Sequence, residues 1–178
     1  MTDQTRRSGF YLGIAGAIAA LDQVAKAIVD RYMELHESHT IVEGLARLTY
    51  VQNRGAAFGI LSDADLPYQS VLFSIVSILA LGAIAVYAWK LPVTSRLPQT
   101  ALALIMGGAV GNLLDRMRLG YVIDYVDVYW GRHHWPAFNV ADSAISVGVA
   151  LLVLDILRNP QPDAADPDMA RTTAAQGE

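Results

Sequence analysis

Hydrophobic positions in this chain fall into four long blocks instead of scattering. Leu66–Trp89 runs 24 residues without a formal charge, and Leu97–Leu114 runs 18. Gly9–Val29 is charge-free as far as Leu21 and then carries Asp22 and Lys26. Val140–Leu157 holds Asp142 near one end and Asp155 near the other. A bilayer core about 30 Å thick needs roughly 17–25 helical residues. The two middle blocks satisfy that outright. The outer two do so if their charges face inward or sit near an interface. The pattern predicts an all-α membrane protein with four transmembrane helices. Gly9-x-x-x-Gly13, Gly13-x-x-x-Ala17 and Gly107-x-x-x-Gly111 put small residues on one face, as close helix contacts require.

The segments between the blocks read differently. Ile41–Leu61 carries β-branched and aromatic residues, partial alternation and glycine punctuation, the marks of two or three short strands. Asp115–Phe138 has three aromatics within Tyr125–Trp130 and then Trp135, residue types that favour the membrane–water boundary. A small extracytoplasmic β element and a short amphipathic segment, both lying on the membrane surface, are expected there. Residues 1–158 form one four-helix domain in this reading. The Pro-, Ala- and Asp-rich stretch 159–178 is a flexible cytoplasmic tail.

Composition narrows the function. Hydrophobic residues make up 53% of the 178 and charged residues 17%, which argues against disorder. A net charge of -4 and a pI of about 5.5 argue against nucleic-acid binding. The absence of cysteine rules out a disulfide framework, a thiolate metal site and a cysteine nucleophile within the chain. Arg6-Arg7, an apolar run and Ala17-x-Ala19 mimic a cleavable signal peptide, but the apolar run continues to Val29 and reads as an anchor. Basic residues flanking the spans divide six against six, so charge alone does not orient the protein. Arg6-Arg7 ahead of the first helix, with Lys90 and Arg96 in the short second loop, favour cytoplasmic termini and an active site near the extracytoplasmic face.

Ionisable groups in or beside a span are costly and mark function. Asp22 and Lys26 are spaced i,i+4 with the acid first, the favourable order for a helical ion pair. Asp115, Asp124, Asp127 and Asp142 all fall near one membrane face in this topology. Asn139 stands three residues before Asp142, fitting an N-cap with the acid in the first helical turn. There the helix dipole favours an ionised Asp142. Two converging carboxylates share a proton, because like charges a few ångström apart do not both ionise comfortably. The ionised one can activate water and the protonated one can polarise a carbonyl. Asp124 and Asp142 are reasonable by position, with Asp115 and Asp127 as rivals. Ser143 has no neighbouring base in sequence and reads as a helix-start serine. His133-His134 reads as interfacial histidines, since adjacent residues seldom ligate one ion together.

Four stretches resemble the boxes of the lipoprotein signal peptidases, also called signal peptidase II. They are Leu21-Asp22-Gln23-Val24-Ala25-Lys26, Gln52-Asn53-Arg54-Gly55-Ala56-Ala57-Phe58-Gly59, Gly107 through Arg116 continuing to Gly120-Tyr121-Val122-Ile123-Asp124-Tyr125, and Phe138-Asn139-Val140-Ala141-Asp142-Ser143. Order, spacing and the four-helix frame match over roughly residues 9–158. The resemblance implies an aspartic endopeptidase of the bacterial inner membrane, and a monomer is expected. It would remove signal peptides from prolipoproteins just before a lipobox cysteine that already carries diacylglycerol. Its catalytic pair would be Asp124 and Asp142. Asn53, Asn112, Arg116 and Asn139 would line the site, and Asp22, Lys26, Asp115 and Arg54 would support it. The family implies membrane lipids as partners, inhibition by the cyclic peptide globomycin, and neither metal nor cofactor. The alternatives are a proton-coupled transporter, which predicts mid-span acids and paired repeats, and a non-catalytic scaffold, which would tolerate Asn at 124 or 142.

Overall fold

The computed structural model describes residues 3–55, 68–92 and 95–159, with side chains from residue 9 onward. The expected tail at 160–178, the start of the second block at 66–67 and the Ala56–Gly59 part of the second box lie outside the described residues. The helices are α1 (Asp3–Tyr32), α2 (Gln69–Lys90), α3 (Arg96–Leu119) and α4 (Val140–Arg158). Each contains a span long and apolar enough to cross a membrane. Large apolar side chains such as Leu72, Ile75, Leu79 and Val153 are about half or more exposed. In water, each would forfeit up to about 1.5–3 kcal/mol of burial free energy. Lipid removes that cost, so this surface belongs in a bilayer.

α3 is the central helix, touching α1, α2 and α4. Its glycines make this possible. A Cβ at Gly107 would meet the Ala15 carbonyl of α1 at 2.6 Å, and one at Gly108 would meet Ile145 of α4 at 2.8 Å. The expected small-residue contact through Gly107 and Gly111 is therefore present. The one through Gly9 and Gly13 is not, because a Cβ at either would meet nothing within 4 Å. α1 turns Ala15 and Ile18 towards α3 instead.

The strands β1 (Ser38–Val42), β2 (Ala46–Asn53), β3 (Val122–Trp130) and β4 (His133–His134) form one antiparallel sheet in that order. The first interhelical segment was expected to be β. The second contributes the longest strand, and no separate amphipathic helix occurs among its described residues between Gly120 and Asn139. The sequence Val122-Ile-Asp-Tyr-Val-Asp-Val-Tyr-Trp is rich in β-branched and aromatic residues and so satisfies a strand as well as an interface. Its first half is buried continuously, and α1 and α3 both touch the strand. Gly120 ends α3 at φ 81°, a left-handed conformation suited to glycine, and its N–H caps the Arg116 carbonyl at 3.1 Å.

The sheet packs over one end of the bundle through Val29, Tyr50, Ile123 and Tyr125. Tyr50 donates its hydroxyl to Asp30 of α1 at 2.5 Å. Burial beside that acid pushes the Tyr50 phenol above its usual range. The chain leading into α4 is stitched to β3, since Phe138 N–H donates to the Val126 carbonyl at 3.0 Å and the Phe138 carbonyl accepts from Val126 at 2.8 Å. That stitch brings the α4 N-terminus against Asp124.

Candidate active site

Four buried aspartates gather where α1, α3, α4 and β3 meet: Asp22, Asp115, Asp124 and Asp142. They fall into two pairs. Register supplies the first contact of the outer pair. β2 ends with Asn53 opposite Val122 and Val51 opposite Asp124. Asn53 Nδ2 thus donates to Asp124 Oδ2 at 2.9 Å, and its own Oδ1 accepts the Gly55 N–H at 2.8 Å.

Asn139 is the pivot. It is the N-cap of α4, and its Oδ1 accepts the Asp142 N–H at 2.9 Å. Asp142 Oδ2 reaches back to the Asn139 N–H at 3.3 Å, completing a capping box with an aspartate in the third position. The amide group of the same side chain donates to Asp124 Oδ1 at 2.7 Å and lies 3.2 Å from Asn112 Oδ1 and the Ile123 carbonyl. Asn112 Nδ2 donates to Asp142 Oδ1 at 2.8 Å. The expected cap is present, and residue Asn139 meets both acids: its side-chain amide binds the Asp124 carboxylate, and its backbone N–H binds the Asp142 carboxylate.

Neither Asp124 nor Asp142 has a cation within ion-pairing distance among the described residues. Burial, then the nearby Asp142 charge, raise the Asp124 carboxyl from its ordinary 3.8 to about 7. The amide donors of Asn53 and Asn139 and the Lys26 charge pull the other way without cancelling the shift. Burial, followed by the field of neighbouring acids, likewise raises the Tyr125 phenol to about 12.

Asp22 and Asp115 have a cation between them. Lys26 Nζ lies 2.8 Å from Asp22 Oδ2, 2.8 Å from Asp115 Oδ2 and 2.8 Å from Asn112 Oδ1. All three ammonium protons therefore have acceptors. The expected i,i+4 pair exists and has a third partner. Gly111 leaves space for Asp22, since a Cβ there would meet Asp22 Oδ2 at 2.5 Å. Gln23, next to Asp22 in the chain, joins this cluster although it is not among the expected site residues. Its Nε2 donates to Asp115 Oδ1 at 2.8 Å and to the Gly111 carbonyl at 3.1 Å. Its position one residue after Asp22 was the only available signal.

Arg116 donates to the Gly55 carbonyl at 2.9 Å and lies 5.7 Å over Phe73. It ties β2's exit to α3 and α2 at the rim of the site. Arg54 is exposed, and among the described residues no contact draws it into the buried group. Asp127 is elsewhere. It pairs with Arg47 at 2.5 Å and with His134 Nδ1 at 3.0 Å, on the sheet and apart from the four gathered aspartates. Ser143 donates to the Asn139 carbonyl at 2.9 Å, as a helix-start serine does.

A membrane-embedded bundle with a buried carboxylate pair under a small sheet defines a membrane enzyme more readily than a carrier. The comparisons agree. The family model for signal peptidase (SPase) II matches residues 14–158, and the chain belongs to that family. It is 56% identical over 138 residues to the lipoprotein signal peptidase of Geobacter sulfurreducens, covering 78% of this chain and 85% of that protein. The Syntrophus aciditrophicus lipoprotein signal peptidase is 46% identical over 148 residues, covering 83% and 92%. A solved bacterial membrane enzyme superposes with TM-score 0.77 at 31% identity, covering 89% of this chain and 93% of that one. The chain is thus a bacterial membrane protease of the signal peptidase II family, and nothing favours a transporter.

Proposed function

We propose that this protein is an aspartic endopeptidase that removes the signal peptide from diacylglyceryl-modified prolipoproteins, cutting just before the lipidated cysteine. The observation that carries the reading is that Asp124 and Asp142, from different elements, are both bound to Asn139 and neither is paired with a cation. Asp142, in the first turn of α4, is the base: it takes a proton from water as the water oxygen bonds to the scissile carbonyl carbon. Asp124, whose carboxyl is raised to about 7, gives its proton to the carbonyl oxygen. Collapse of the tetrahedral adduct returns a proton through the pair to the departing cysteine nitrogen. The products are a signal-peptide carboxylate and a free cysteine amine. Asn53, Asn112 and Asn139 orient the carboxylates, and Arg116 lines the approach.

The enzyme is read as a monomer of the inner membrane, with cytoplasmic termini and the sheet outside. A substrate already tethered by acyl chains is presented at the bilayer surface. Each CH₂ buried against apolar helix faces is worth about 0.8 kcal/mol. Globomycin would bind across the dyad. The natural absence of cysteine makes topology easy to test. Gly131→Cys in the β3–β4 turn should react with a membrane-impermeant thiol reagent added outside spheroplasts; labelling only after lysis would reverse the orientation. Function is tested with purified enzyme in detergent on a prolipoprotein with and without its diacylglycerol. Globomycin-sensitive cleavage of the lipidated form alone is expected, and equal turnover of both forms would refute lipid recognition.

A further inference from the structure

The buried ion cluster has a second feature beyond charge balance. Asp22 Oδ1 accepts the Ala141 N–H at 2.9 Å. Asp115 Oδ2 accepts the Ile123 N–H at 3.2 Å. Ala141 immediately precedes Asp142, and Ile123 immediately precedes Asp124. Each acid of the inner pair therefore holds the backbone next to one acid of the outer pair. Lys26 connects the two holders, with one contact of 2.8 Å to each. Its third contact goes to Asn112 Oδ1. An ammonium can only donate, so it fixes which end of that amide faces it and leaves Nδ2 for Asp142.

We propose that the Asp22–Lys26–Asp115 triad is a strap that sets the spacing and orientation of the Asp124–Asp142 pair, making Lys26 a positioning residue for the reaction. The inference rests on the dyad reading above. The strap spans four elements, because Lys26 on α1 holds the start of β3 through Asp115 of α3 and the start of α4 through Asp22. No direct backbone hydrogen bond between β3's Asp124 and α4's Asp142 is needed, since both are referenced to one ammonium. Gln23, donating to the other oxygen of Asp115, keeps that carboxylate from rotating away from Ile123.

A merely structural triad would neutralise buried charge and nothing more. Replacing all of its charges by shape-matched neutral groups would then be tolerated, as often happens when a buried ion pair is exchanged whole. The test is therefore the triple variant Asp22→Asn/Lys26→Met/Asp115→Asn, assayed for cleavage of lipidated prolipoprotein beside wild type and Asp124→Asn. A strap predicts an inserted, folded triple variant with kcat reduced about 10²-fold and KM within about twofold, because misplacement of the reacting groups by an ångström costs rate, not affinity. A triple variant with at least half the wild-type kcat overturns the strap. Should that variant fail to fold, Asp115→Glu decides, since it keeps the charge but lengthens the reach to Ile123. The strap predicts a kcat at least tenfold lower with unchanged KM, whereas wild-type kcat overturns it. Activity surviving in Asp124→Asn would instead sink the dyad reading itself. An inactive Asp124→Asn beside an active triple variant would sink only the strap.

Discussion

Asp22 and Asp115 lie as deep in the molecule as Asp124 and Asp142, yet the two pairs are held by opposite means. The inner pair closes on Lys26, which sets a full positive charge in direct contact with both carboxylates. The outer pair receives only amide and backbone N–H groups. Neutral donors steady a carboxylate without supplying a countercharge in contact, so burial and mutual repulsion are only partly offset there. Asp124 shows the result, with a carboxyl raised to about 7. Burial of an acid is therefore a poor marker of chemistry by itself. What distinguishes the pair proposed to react is burial without a cation in contact, which leaves one proton to be shared and moved.

The sharpest way to break this contrast is to neutralise each acid in turn. Asp124→Asn and Asp142→Asn keep shape and should each lower cleavage more than roughly 10³-fold while the protein remains inserted. Circular dichroism and detergent gel filtration would establish the folded state. Near wild-type turnover in either would erase the distinction between the pairs. Next in size is Gly111→Ala. The added methyl meets Asp22 Oδ2 and must push it from Lys26, costing roughly 1–3 kcal/mol and lowering the thermal midpoint.

The pH dependence sharpens the contrast further. Below about pH 7 Asp124 keeps its proton; above it the proton is lost and cleavage should fall about tenfold per pH unit. The same shift links to stability. A carboxyl raised from 3.8 to about 7 contributes most below 3.8, and that contribution disappears as pH rises through about 7. Asp124→Asn should therefore raise the thermal midpoint at pH 8 relative to wild type and not at pH 4. An identical difference at both values would contradict the assigned shift. The smallest effect belongs to Asp127→Asn. That acid is already paired with half-exposed Arg47 and His134 on the sheet, and its loss should change cleavage less than about threefold.

The parts of the site written into short stretches of sequence were legible there. Asn139 and Asp142 are three residues apart, so the capping box follows from local helix geometry. Asp22 and Lys26 are four apart, and their pairing follows in the same way. Asp115 joining Lys26, and Gln23 joining Asp115, depend on α1 lying against α3, which no local spacing specifies. The small residues of α1 misled for the same reason. Gly9 and Gly13 look like a packing face, but the face that meets α3 is set by Gly107 and Gly111 on the other helix. β3 was obscured because tyrosine, tryptophan and valine suit both a strand and a membrane interface. Its pairing partner lies some seventy residues away in β2. The choice of Asp124 and Asp142 over Asp115 and Asp127 needed partners: Lys26 claims one rival and Arg47 the other.

The most direct measurement is an infrared titration of the carboxylic-acid C=O stretch in purified protein, comparing wild type with Asp124→Asn and Asn139→Ala. In wild type a buried protonated carboxyl should ionise near pH 7. That band should vanish in Asp124→Asn. In Asn139→Ala, which keeps both acids and removes the amide that binds the Asp124 carboxylate and caps the Asp142 N–H, it should remain and shift. A band that persists unchanged in Asp124→Asn would put the proton elsewhere and contradict the assignment of the pair without a cation in contact.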